Sequence, residues 1–74
     1  MNIERHLLIT ILKLAKNGPV SQELIKKDAK ISLRIAQKLL VKLQKDALIY
    51  VKEDLVKANS IQRLKLAVKV VNLG

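Results

Sequence analysis

A chain of 74 residues with no cysteine and a single histidine has room for one domain, and it holds neither a disulfide nor the four Cys or His ligands of a structural zinc site. Half of its residues are hydrophobic, yet charges interrupt every stretch short of the roughly eighteen apolar residues that a membrane-spanning helix needs, and Glu4, Arg5 and His6 replace the plain apolar block of a signal peptide. These exclusions and a formal net charge of +9 predict a soluble, intracellular (cytoplasmic) protein with an anionic partner and no membrane.

Ile3, Leu7, Leu8, Ile11, Leu12 and Ala15 keep the rhythm of an amphipathic helix, predicted over 3–17, with Glu4, Arg5, Lys13 and Lys16 mostly outside the stripe. Asn17-Gly18-Pro19 ends it, because glycine accepts the left-handed conformation at a helix end and proline cannot continue the ladder. Val20 is expected to supply a strand residue or two. Ser21 caps a second helix, 22–29, with Glu23 at the positive end of its dipole and Leu24, Ile25 and Ala29 as candidates for burial. Lys30-Ile31 makes a tight connection, and Ser32 opens a third helix, 32–46.

That third helix has two unlike sides. Ile35, Ala36, Leu39, Leu40 and Leu43 fill one; Arg34, Gln37, Lys38, Lys42, Gln44 and Lys45 collect on the other, with Val41 as the only apolar intruder. After Asp46 the pattern turns β-rich. Leu48-Ile49-Tyr50-Val51 and Leu55-Val56-Lys57-Ala58, separated by Lys52-Glu53-Asp54, predict a small hairpin over 48–58. Asn59 or Ser60 then caps a last helix, 61–72. One of its faces holds Ile61, Leu64, Ala67, Val68 and Val71, and a second holds Leu66, Val70 and Leu73; residues 64–71 also alternate with period two, which keeps a strand in competition. A helix apolar on two sides has to bury both, and a monomer of this size covers one. Leu66, Val70 and Leu73 are therefore expected to form the interface of a homodimer or the docking surface for an additional C-terminal domain.

The charge is unevenly spread. Residues 1–25 carry three bases against two acids, a net of +1, and residues 46–74 carry five against three, a net of +2. Between them, Lys26, Lys27, Lys30, Arg34, Lys38, Lys42 and Lys45 against Asp28 give +6. A Lys-rich solvated surface is the plain alternative, but a field concentrated in this way favours a polyanion site. The remaining residues suggest no chemistry. His6 has no acidic or hydroxyl partner at catalytic spacing and is expected to be packed or solvated. Tyr50, the sole aromatic residue, is expected to pack at the start of the hairpin. The acids lack metal-loop spacing and there is no Gly-rich phosphate loop, so neither an enzyme nor a cofactor is expected.

Three helices with a basic third, then a hairpin, resemble the winged helix-turn-helix family of DNA-binding domains, in particular its small archaeal and bacterial transcription regulators. The resemblance covers roughly residues 3–58. It is carried by Asn17-Gly18-Pro19-Val20-Ser21 before the second helix, by Ile31-Ser32 opening the third, and by Leu39, Leu40 and Leu43 followed by Asp46-Ala47-Leu48-Ile49. Ala47 and Lys30 stand where the family commonly has glycine. The implied fold is mainly α with a small β-hairpin: a three-helix core, a wing and a C-terminal helix.

The resemblance implies double-stranded DNA as partner, with residues 32–45 in the major groove. Arg34, Gln37 and Lys38, in the N-terminal half of that helix, are then the expected base readers, since arginine bridges the two acceptors of guanine and glutamine pairs with adenine. Lys26, Lys27, Lys30, Lys42 and Lys45 are expected on phosphates, as are Lys52 and Lys57 on the wing, with Ser32 offering its hydroxyl and the free amides of the helix start. Two alternatives stay open. Ser60-Ile61-Gln62-Arg63-Leu64-Lys65-Leu66-Ala67-Val68 is similar to the joint between a helix-turn-helix and a restriction-endonuclease-like domain in some archaeal proteins, which implies an N-terminal DNA-targeting module of a larger nuclease-like enzyme. The other is a winged helix that builds protein complexes.

Overall fold

The computed structural model describes residues 2–73, with side chains as far as Val71. It is mainly helical, with α1 (Ile3–Leu14), α2 (Gln22–Ala29), α3 (Leu33–Lys45) and α4 (Ile61–Leu73), and a small antiparallel sheet of β1 (Val20–Ser21), β2 (Ile49–Lys52) and β3 (Leu55–Ala58). The strand order is β1-β3-β2, so the hairpin is extended by two residues from the α1–α2 connection, with Val20 opposite Val56 and Ser21 opposite Leu55. Residues 64–71 are helical, which removes the competing strand.

Serine oxygens begin three of the helices. Ser21 Oγ accepts from Leu24 N at 3.1 Å, Ser32 Oγ from Ile35 N at 3.2 Å and Ser60 Oγ from Arg63 N at 3.3 Å, each satisfying an amide that has no partner within its helix. The first helix is shorter than the expected 3–17: Ala15 closes it with a bond from its own N–H to Ile11 O, and the chain then turns through Gly18, at φ +149°.

Two helix ends take the left-handed conformation without glycine, Lys30 at φ 57° and Ala47 at φ 61°. After α3, Leu48 N–H donates to Leu43 O and Ala47 N–H to Gln44 O, both at 3.0 Å, which is the Schellman closure. Ile31 N–H closes α2 in the same way on Lys26 O at 3.4 Å. Asn59 Nδ2 holds the Ala47 carbonyl at 3.0 Å, tying this turn to the exit of β3.

Leu7, Leu8, Ile11, Ile25, Leu43, Ile49, Val56 and Leu64 are fully buried, so all four helices and both hairpin strands contribute to one core. α4 packs mainly on α1 through Leu64. His6 is a packed residue: its Nε2 lies 2.8 Å from Ala29 O and links α1 to the end of α2. Four apolar residues expected inside are not, the first being Ile3 at the start of α1, where no preceding turn covers it and it is 44% exposed. Leu24 and Ile35 are exposed, because Ile25 with Ala29 and Ala36 with Leu40 and Leu43 define the inward stripes and the two residues fall about 100° away from them. Tyr50 is exposed as well, since alternation along β2 turns Ile49 and Val51 inward and sends Tyr50 to the outer face.

Candidate nucleic-acid interface

At 3.6 residues per turn, a helix anchored by Ala36, Leu40 and Leu43 turns Arg34, Lys38, Val41 and Lys45 directly outward. All four are exposed. Residues to either side of this row are engaged with neighbouring elements. On one flank Lys42 Nζ donates to Glu4 Oε1 of α1; that hydrogen bond first, and the carboxylate charge second, hold the Lys42 ammonium protonated above the usual lysine range. On the other flank Gln44 Oε1 accepts from Val51 N at 2.6 Å, pinning α3 to the hairpin, while Gln37 is exposed.

The sequence reading put Lys26, Lys27, Lys30, Ser32, Lys42, Lys45, Lys52 and Lys57 in one group, and the structure separates them. Among the described residues the ion pairs are Lys13 with Asp28 at 2.8 Å, Lys26 with Glu23 at 3.7 Å, and Lys42 with Glu4. Lys26 and Lys42 are thus partly neutralised. Arg34, Lys38 and Lys45 on α3, Lys27 and Lys30 at the end of α2, and Lys52 and Lys57 on the hairpin are exposed, and none enters an ion pair among the described residues. Ser32 spends an oxygen lone pair on its cap, and its hydroxyl proton is left to donate.

On the hairpin, Tyr50 opposite Lys57 and Lys52 opposite Leu55 share the outer face. Its turn, with Glu53 at φ 55°, is fastened to the start of α2: Gln22 N–H donates to Asp54 O at 2.8 Å, and Gln22 Nε2 to Glu53 O at 3.0 Å. The exposed row of α3 is therefore braced by Gln44 against β2, and the hairpin that donates this bond is itself fastened to α2 by Gln22. Sequence reasoning missed these braces and the Glu4–Lys42 pair. Gln44 lies seven residues from its partner, while the Gln22 and Glu4 contacts span 31 and 38 residues, so no helical or strand periodicity signals them.

Of the expected interface on α4, Leu66 and Val70 are 60% and 66% exposed, while the Leu73 side chain lies outside the described residues. No helix among the described residues is long and apolar enough to cross a membrane, and no group of three or more His, Cys, Asp or Glu among them could hold a metal ion. No family model matches this chain, nor does any curated protein or solved structure.

Proposed function

We propose that this chain binds double-stranded DNA as a winged helix-turn-helix, laying α3 in the major groove, and that it serves as a transcription regulator. The observation that carries the reading is the outward row of α3, where Arg34, Lys38 and Lys45 are exposed and engage no carboxylate among the described residues. Arg34, Gln37 and Lys38, nearest the N-terminus of the helix, face base edges. Lys45, Lys27, Lys30, Lys52 and Lys57 neutralise phosphates, joined by the Ser32 hydroxyl. Lys26 and Lys42 contribute less, because each already has a carboxylate partner. Glu53 and Asp54 at the hairpin turn repel phosphate, so the wing approaches DNA with its lysine-bearing outer face rather than its tip.

If about five cations displace counterions, log affinity falls with log salt at a slope of about −4 to −5. Selection from random duplexes, followed by titration of the selected duplex at several salt concentrations and by mass measurement of the complex, tests the reading. A consensus bound with that slope supports it; salt-independent affinity, or selection without consensus, refutes it. The exposed Leu66 and Val70 support binding as a homodimer, whose signature is a two-fold related pair of half-sites and a complex containing two chains. The same face favours a second reading, a protein adaptor working through α4. Arg34→Ala with Lys38→Ala separates the two, since it abolishes duplex selection by a DNA reader and leaves an adaptor unaffected.

A further inference from the structure

The cationic row of α3 is interrupted by one residue that phosphate capture does not explain. Val41 is 60% exposed, lies one turn beyond Lys38 and one turn before Lys45, and opens onto a cleft of about 400 Å³ between α3 and β2. Leu40, Val41 and Val51 give this cleft an apolar wall, and the amide side chains of Gln22, Gln37 and Gln44 edge it. Two of those amides are tied to the hairpin, Gln44 Oε1 accepting from Val51 N and Gln22 Nε2 donating to the Glu53 carbonyl, which fixes them beside the cleft. Beside the exposed Gln37 amide, this part of the helix presents a branched aliphatic side chain flanked by ammonium groups.

From this arrangement we propose that Val41 and its cleft read the C5-methyl group of a pyrimidine in the major groove. The inference rests on the DNA-binding reading above. Lys45 holds the phosphate backbone against α3 and Lys38 meets a base edge, which brings the intervening base pair to the side chain between them. In the major groove the only apolar group a base pair presents is a pyrimidine C5-methyl. Two sources share that chemistry, thymine and methylated cytosine. Val41 desolvates the methyl without asking for a hydrogen bond, while Gln37 and Arg34, one and two turns earlier, read neighbouring pairs.

The test uses the selected duplex, with single thymines replaced by uracil in one series and single cytosines by 5-methylcytosine in another, titrated with wild-type and Val41→Ala protein. Removing or adding one methyl at the position beneath Val41 changes wild-type affinity about fourfold, the worth of one buried carbon, and changes that of Val41→Ala by less than about twofold. An effect of uracil assigns the site to thymine, and an effect of the modified cytosine assigns it to a methylated base. The alanine variant folds, because the position is exposed and alanine favours helix. The proposal is overturned if no methyl matters at any position, or if Val41→Ala keeps the full discrimination. Tight binding in either case leaves the DNA reading standing, whereas a selection that recovers no duplex removes that reading and this inference together.

Discussion

Ala47→Gly is expected to stabilise the protein. The residue closes α3 at φ 61°, where an L-residue with a Cβ costs about 1–2 kcal/mol relative to the right-handed region. Glycine escapes that cost but loses about 0.4–1 kcal/mol more chain entropy on folding. Nothing else offsets the gain, because Ala47 is exposed and its two turn bonds, to Gln44 O and from Asn59 Nδ2, belong to the backbone. The net is about 0.5–1 kcal/mol in favour of glycine, which for a domain of this size raises the unfolding midpoint by about 2–8 °C. Thermal unfolding followed by circular dichroism reads it directly. Ala47→Val supplies the opposite arm, since a β-branched side chain is worse still in this conformation and lowers the midpoint. An unchanged or lower midpoint for the glycine variant, or a valine variant equal to wild type, would show that the turn after α3 is not left-handed.

Leu64→Ala removes the one fully buried side chain of α4 among the described residues and is expected to cost about 2–5 kcal/mol in urea unfolding, a large share of the stability of so small a domain. In the DNA titrations, Lys45→Ala should flatten the salt slope by about one unit, while Lys42→Ala, whose ammonium is already held by Glu4, should change it much less. Sedimentation of the Leu66→Ser, Val70→Ser double variant should show a monomer with an unaltered far-ultraviolet spectrum, both positions being exposed; persistence of a wild-type dimer would place the interface elsewhere.

What could be read from the sequence was local. Ser21, Ser32 and Ser60 announce helix starts because an N-cap acts within three residues, and the Leu40–Leu43 stripe of α3 follows from helical period alone. The hairpin was legible from β-rich runs, but the addition of β1 to it was not, since Val20 and Val56 meet through chain closure rather than through any repeat. Leu24 and Ile35 were misread because apolarity alone widened each stripe by one residue, and only the neighbouring elements decide where an inward face stops. At Lys30 and Ala47 the usual glycine signal is missing. Their left-handed geometry is imposed by hydrogen bonds closing α2 and α3, not by residue preference. For the candidate site, the cationic row was legible as a set, while the division into paired and unpaired lysines was not, because Glu4 reaches Lys42 from α1.

That division turns a net charge of +9 into a directional field, and the placement of the six acids shows how. Glu4, Glu23 and Asp28 each hold a lysine beside the outward row of α3 or away from it. Asp46 follows the last turn of α3, and Glu53 and Asp54 make the hairpin turn, where their backbone carbonyls anchor Gln22. None falls on the row of Arg34, Lys38 and Lys45. Moving one there tests whether the arrangement matters: Val41→Glu sets a carboxylate between Lys38 and Lys45 without touching the core, so folding is unchanged while duplex affinity falls by far more than the fourfold expected of a lost methyl contact. If Val41→Glu binds duplex DNA as tightly as wild type, the outward face of α3 does not meet phosphate, and the positive field of this protein serves a partner on another surface.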